Sequence, residues 1–519
     1  MFSKHPKGLL AASLSNMGER FGFYVMMALL TLFLMAKFGV SGTKASLIGS
    51  VFYFGIYILA LVGGIIADKT KKYKQTIMFG IIAMAIGYIL LAIPTPTPVP
   101  ESSYFLFLGI TLLGLVIIAF GNGLFKGNLQ ALVGQMYDNE KYKDKRDAGF
   151  SLFYMFINVG AVFAPVVAVL IRNWWVQKNG FIYNANIPEL CHQYLSSGGM
   201  TEVQIASFKA EAEKSMIDSS SFTSLTDFAN DYLNVFTTGF HYAFGVAIVA
   251  MIISLFIFIM NKKIFPDPAL KVQKEISSID KKQLQMDAVQ VKQRLYALFA
   301  VFAVVVFFWF SFHQNGHSLT LFAKDYTNLS AFNINFFNIA TLEGAELFQM
   351  FNPLFVVLLT PVILAFFGWL RAKGKEPSTP RKIAIGMGIA AIGFLVMSVG
   401  SLDLPQLSVF KAMTGNQQEI VKVTPFLLIG TYLILTVAEL FISPLGLSFV
   451  SKVAPPHMQG LMQGAWLGTT AVANLFLFLG PMMYENIPIW MTWSVFAVLC
   501  VLSMLMMLFM LKWLERITK

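Results

Sequence analysis

Charge is what this chain of 519 residues has least of. Asp, Glu, Lys and Arg together make up 13%, against about 25% in soluble domains, so an ordinary water-solvated surface is excluded. The two cysteines, Cys191 and Cys500, lie in unrelated contexts and cannot make a disulfide framework. No HExxH, GxSxG or P-loop spacing occurs, and no Ser/His/acid set is recognisable. Nothing here reads as an enzyme.

Apolar residues fill the space instead: 56% of the chain, with 50 Phe and 27 Met. Apolar runs of about 20 residues, each enough to cross about 30 Å of hydrocarbon, recur at 9–36, 46–67, 75–93, 104–136, 148–172, 239–260, 293–323, 347–370, 382–401, 424–450, 457–480 and 489–511. They predict an all-α integral membrane protein of about twelve helices. The first run carries charges and is too long for a signal-peptide core. An even count puts both termini on one side. With the termini cytoplasmic, 27 Lys and Arg fall on the inner side and 9 on the outer, while Arg20 and Lys126 lie within spans. That is the positive-inside pattern. The net charge of +11 therefore reports topology, and nucleic-acid binding loses its support.

Two stretches interrupt the rhythm. Residues 262–292, dense in Lys and acids, read as a cytoplasmic linker between an N-terminal lobe, 1–261, and a C-terminal lobe, 293–519. Residues 173–238 are polar and mixed in charge. They read as an extracytoplasmic insertion with a helical part near 201–216. Two six-helix lobes joined in this way are the pattern of the major facilitator superfamily fold.

A charge at the centre of a span costs about 2.5–3.5 kcal/mol on insertion scales, so each one is a functional candidate. Asn16, Glu19, Arg20, Phe23, Tyr24 and Met27 share one helical face. Glu19 and Arg20 either line a polar cavity or form a structural pair between lobes. Lys126 sits in Gly121–Asn128, where glycines permit close helix contact, and too deep to snorkel. Glu439, with Ser443 a turn later and Pro444 expected to break the helix, is a lone carboxylate. It suits an ammonium group or a proton, or it is a buried structural acid. Cations in one lobe and an anion in the other match a zwitterion lying between them. His313 and His317 are four apart on one expected helical face, as titrating or merely hydrogen-bonded groups. No carboxylate or Cys stands near enough in sequence to favour a metal. Glu343 and Glu346 read as a solvated rim. Tyr24, Tyr57 and Trp466, beside the polar features, read as cavity lining.

Gly149–Gly160, with Phe153–Tyr154 and Asn158, resembles the signature of the proton-dependent oligopeptide transporters. Glu19–Arg20–Phe21–Gly22–Phe23–Tyr24 resembles the end of that family's ExxERFxYY motif. Gly121–Asn128, Phe348–Pro353, Glu376–Pro380 and Glu439–Ser448 are similar to further motifs, in family order. The resemblance implies a proton-coupled symporter importing di- and tripeptides by alternating access. It also implies a bacterial inner-membrane location, a monomer, and no cofactor beyond the coupling proton. Carried over, the peptide carboxylate would meet Arg20, Tyr24 and Lys126. The ammonium end would meet Asn158, Asn352 and Glu439, with Ser443 alongside, and Tyr57 and Trp466 would line the pocket. Proton coupling would involve Glu19, Lys126, His313 and Glu439.

The chain departs from the pattern at four places. Asn16 replaces the first Glu of ExxER, Phe23 the first tyrosine, Met27 an Arg that helps hold the carboxylate, and His313 the acid that pairs with the lysine. Glu19 or His313 is therefore expected to carry the proton. The linker is too short for an additional helix pair, so twelve spans are expected. A second reading is a same-fold transporter of another small zwitterionic or anionic solute, with altered or absent coupling. A third gives the insertion a receptor or scaffold role.

Overall fold

Hydrocarbon offers the backbone no hydrogen-bond partner, so apolar runs of this length must close their own bonds as helices. The computed structural model describes residues 5–518 except 71, 138–140, 143–145, 197–199, 219, 221, 267–287, 333, 337–339 and 456–458. Among the described residues twelve helical segments are long and apolar enough to cross a membrane. In chain order the helices are α1 (Lys7–Phe38), α2 (Gly42–Thr70), α3 (Tyr73–Ala92), α4 (Tyr104–Met136), α5 (Arg146–Lys178), α6 (Ile187–Leu195), α7 (Glu202–Lys214) and α8 (Leu225–Met260). There follow α9 (Ala288–Phe312), α10 (Ser318–Tyr326), α11 (Phe351–Ala372), α12 (Thr379–Val399), α13 (Leu407–Ala412), α14 (Gly415–Val421), α15 (Pro425–Val453), α16 (Gln459–Leu475), α17 (Leu479–Asn486) and α18 (Ile489–Thr518). A small antiparallel hairpin pairs β1 (Ile334–Phe336) with β2 (Ala340–Leu342), Asn335 opposite Thr341.

Helices α1–α5 and α8 pack as one group, with α3 on α4, α2 on α4, and α1 on α5 and α8. Helices from α9 onward form a second group, in which α12 lies against α15 and α18, and α9 against α16 and α18. The groups meet where α2 crosses α16 and α17 and where α5 meets α11. Two glycines of α4 show how closely the first group packs. A Cβ on Gly123 would stand 2.5 Å from the Leu59 carbonyl, and one on Gly121 2.6 Å from the Gly80 carbonyl. Helix α4 thus lies backbone to backbone against α2 and α3, as its glycines suggest.

The structure corrects the sequence reading at several boundaries. Helix α5 continues to Lys178, and α8 begins at Leu225, which confines the insertion to 179–224. Ser224 caps α8 by accepting from the Asp227 amide, and Asp227, Asn230, Asp231 and Asn234 hide this first part of the span from hydropathy. Pro444 sits inside α15, which runs on to Val453, because local adjustments in a membrane helix absorb a proline. Two spans are broken. The turn His313–Gly316 separates α9 from α10, and 476–478 separate α16 from α17, so His313 and His317 do not share one regular helical face. Of the expected linker 262–292, residues 267–287 lie outside the described residues.

The insertion has a core of its own. Phe181 and Phe208 each meet the ring of Phe228 on α8 edge to face, at 5.8 and 6.1 Å, and Cys191 is fully buried. Helix α7 starts with a reciprocal capping box between Thr201 and Gln204.

Candidate functional site

Glu19 and Arg20 of α1 are both buried. Arg20 Nε donates to Glu19 Oε2 at 2.5 Å and Nη2 to Oε1 at 2.7 Å, a bidentate fork. Asn122 Nδ2 of α4 donates to the same Oε1 at 2.8 Å. All three residues belong to the first helix group. The structure thus corrects the interlobe reading: neighbours on one helix turn satisfy each other locally. A guanidinium has five N–H donors, so three remain beyond the fork, with its carbon 4.8 Å over the Phe23 ring. Lys126 Nζ lies 4.9 Å from the Tyr57 ring centre, within cation–π range. Among the described residues it has no hydrogen bond or ion pair. Asn158 is mostly buried and donates to the Tyr154 carbonyl at 3.1 Å.

The facing set comes from the second group. Asn352 Nδ2 donates to Glu439 Oε2 at 2.8 Å and to Thr436 Oγ1 at 3.1 Å. Glu439 is half-buried and interacts electrostatically with Tyr24, Tyr57 and Tyr154 of the first group. That interaction brings Glu439 near these tyrosines across the boundary between the two helix groups. Ser443, a turn beyond Glu439, is also half-buried. Trp466 is buried with its ring edge-on to Phe302 at 6.0 Å. It fits against Gly446, where a Cβ would overlap the indole.

His313 sits apart from Lys126 in hydrogen bonding, although the two interact electrostatically. Its Nδ1 pairs with Asn474 Oδ1 at 2.5 Å, and its ring stacks on Tyr53 at 6.1 Å with the planes 8° apart. Tyr53, Tyr154 and Asn474 are members that the sequence reading did not assign. The signal for Asn474 was there, as an amide inside an apolar run. His317 is buried, and neither ring nitrogen has a hydrogen-bond partner among the described residues. No three His, Cys, Asp or Glu side chains gather as a metal centre requires, again among the described residues.

Hydrogen bonds and ion pairs between the two helix groups gather toward the end that carries the insertion. Arg172 of α5 is fully buried and pairs with the fully buried Glu346, and its Nη2 donates to the Glu343 carbonyl at 3.1 Å. Glu346 is thus no solvated rim residue, since it faces α5 of the other group. Asn173 donates to the carbonyls of Thr341 and Glu343 at 2.7 and 2.9 Å. Thr43 donates twice to Glu485, and the Phe478 amide donates to Ser50. These contacts join the two helix groups at this end.

Residues 74–273 and 267–491 match the family model described as the POT family. The chain belongs to the POT family. This POT-family chain is 29% identical over 490 residues to a peptide transporter, YePEPT, of Yersinia enterocolitica, covering 91% of this chain and 87% of the relative. It is 26% identical over 475 residues to dipeptide and tripeptide permease A of Escherichia coli, covering 91% and 83%. Among solved structures, a peptide transporter POT in complex with sulfate superposes with a TM-score of 0.71 at 22% identity, covering 100% of this chain and 96% of that one. A POT family transporter in complex with 5-aminolevulinic acid gives 0.69 at 21%, covering 100% and 98%. These likenesses establish the major facilitator fold. The POT-family chain is accordingly a multi-pass membrane protein, whose Arg20, Tyr24, Tyr57, Lys126 and Asn158 stand on one lobe and Asn352, Glu439, Ser443 and Trp466 on the other.

Proposed function

We propose that this chain is a proton-coupled symporter that imports di- and tripeptides by alternating access between lobes 1–261 and 293–519, joined through 262–292. The observation that carries the reading is the division of charge. Lys126, without a counter-ion among the described residues, and the remaining Arg20 donors stand on one lobe, and the Asn352–Glu439 pair stands on the other. A zwitterionic peptide would place its carboxylate toward Lys126, Arg20 and Tyr24 and its ammonium toward Glu439, Asn352 and Asn158. Tyr57, Ser443 and Trp466 would border the side chains. The names of the curated relatives support the substrate class.

Glu19, His313, Lys126 and Glu439 are the proton-coupling candidates. Protonating Glu19 would loosen its fork on Arg20 and free donors for the substrate carboxylate. No metal or organic cofactor enters this scheme. The Lys and Arg bias supports cytoplasmic termini and an outward-facing insertion, and the bacterial relatives support an inner-membrane location. The transport unit is one chain, because every proposed contact comes from one copy, although one neighbour of similar fold, PepTSo2, is tetrameric.

A second reading has its own observation. With two Arg20 donors committed to Glu19 and Met27 offering no charge, the cationic wall is spare, which suits a smaller zwitterion. Uptake of a labelled dipeptide into proteoliposomes, with an inward proton gradient imposed or collapsed, separates the two. Gradient-dependent accumulation, competed by peptides and not by single amino acids or short ω-amino acids, supports the peptide reading, and the reverse competition order supports the second. Lys126→Gln should weaken binding of a dipeptide but leave its C-terminal amide unchanged. Glu439→Gln should weaken the dipeptide but not its N-acetyl form. Proton-driven accumulation that persisted in His313→Gln with Glu19→Gln would remove both residues from the coupling scheme.

A further inference from the structure

The insertion is built on the first lobe and reaches onto the second. Its aromatic core packs on α8, and His192 of α6 pairs through Nε2 with the Ala36 carbonyl at the end of α1, at 2.7 Å. From the first turn of α6, Glu189 extends to the other lobe. Its Oε2 accepts from Lys324 at 3.3 Å and its Oε1 accepts from Lys411 of α13. Lys324 also donates to Asp325 at 3.0 Å, and Asp325 accepts from the Tyr484 hydroxyl at 3.0 Å. These groups line a cavity of about 670 Å³ at the insertion end. Burial by itself raises the Glu189 carboxyl, but Lys324 and Lys411 outweigh it and hold it down to about 2. Glu189 therefore keeps its charge at any pH a cell meets.

We propose that Glu189 is a positioning residue of the transport cycle, a strap by which the insertion holds the second lobe against the first and sets how often the insertion end opens. This rests on the alternating-access reading above. Among the described residues of the insertion, this carboxylate alone meets two lysines of the other lobe, and both contacts must part before that end can open. Opening returns Glu189 and Lys411 to water while Lys324 keeps Asp325. The strap is thus a bias and no lock, worth a factor of about 5–30 in the closed-to-open ratio, the range that one or two kcal/mol spans. Arg172 and Glu346 close the buried part of the same interface. The strap adds an exposed, salt-sensitive part above them.

The test reads conformation separately from transport. Spin labels at Ile217→Cys and Ile420→Cys, both exposed and on opposite sides of the interface, report the opening by electron–electron distance measurement in the full-length protein. Cys191 and Cys500 are buried and stay unlabelled. Glu189→Gln should enlarge the long-distance population about 5- to 30-fold. Glu189→Lys should enlarge it further, and Glu189→Lys with Lys411→Glu should return most of it. Raising salt should open the parent protein and leave Glu189→Gln unmoved. Unchanged distances in Glu189→Gln, or a swap no better than the sum of its two single variants, would overturn the proposal. Dipeptide uptake measured alongside keeps the readings distinct: distances that shift in a protein that moves no peptide sink the proposed substrate and leave the strap standing.

Discussion

Arg172 and Glu346 are the sharpest quantitative handle on the structure. Both side chains are fully buried, they pair across the two lobes, and 174 residues of chain separate them. Removing one partner of such a pair leaves a buried charge uncompensated, at a cost of about 3–5 kcal/mol, whereas replacing both with apolar residues is neutral or stabilising. On the proposed alternating-access cycle the cost falls on the closed state alone, because opening this end hydrates Glu346. Arg172→Met should therefore shift the closed-to-open ratio toward open by about two to three and a half orders of magnitude, at 1.4 kcal/mol per tenfold. Part of the loss belongs to the bond from Arg172 to the Glu343 carbonyl and to the stacking of its guanidinium 4.1 Å from the Tyr183 ring. Adding Glu346→Met to Arg172→Met should recover the closed population. The same label pair, at 217 and 420, reads all three proteins. Closed-state distances in Arg172→Met indistinguishable from the parent would refute the assignment of this pair to the gate. So would a double variant more open than the single one.

Two smaller predictions concern packing and a surface cluster. Gly446→Ala should push Trp466 out of place, an overpacking of about 1–3 kcal/mol, and should raise the dipeptide KM more than it lowers expression; unchanged KM and tryptophan emission would contradict the fit. At the cytoplasmic end proposed above, hydrogen bonds from Arg371 and then Lys382 hold the Glu376 carboxyl down to about 2. A depressed carboxylate stabilises above its unfolded value and loses that contribution only as pH falls toward the folded one. The Tm deficit of Glu376→Gln should thus be flat between pH 5 and 8 and, this carboxylate being partly exposed and its partner Arg371 exposed, small. A deficit that vanishes near pH 6 would show the cluster to be something else.

How much of this the sequence disclosed depended on distance along the chain. Helices declared themselves through local hydropathy, and the fork of Arg20 on Glu19 is local enough to be foreseen as a pair. What failed was first the polar beginning of α8, where Asp227, Asn230, Asp231 and Asn234 mask a helix that projects past the apolar layer. Pro444 misled for the opposite reason: a rule drawn from soluble helices gave way to a membrane helix that absorbs it. Glu346 looked like a wet rim because its partner Arg172 lies far off in sequence, and no periodicity could join them. The stacking of His313 on Tyr53 and its bond to Asn474 were hidden in the same way. The charge division of the site was legible, since each charge stood out against an apolar run whatever it faced.

The glycine contacts of α4 bear on ligand size. Lys126 rides on a helix whose backbone touches those of α2 and α3, with no side chains between to slide or repack. Its position is therefore fixed within its own lobe, like the zero mark of a gauge. The Asn352–Glu439 pair carries no such constraint: it spans α11 and α15, and the second group also holds the two broken spans. In the proposed binding mode, a ligand one residue longer cannot move the lysine back. Length has to be accommodated by how far the second lobe stands from the first when the gauge closes, so discrimination between a dipeptide and a tripeptide becomes a question about lobe spacing.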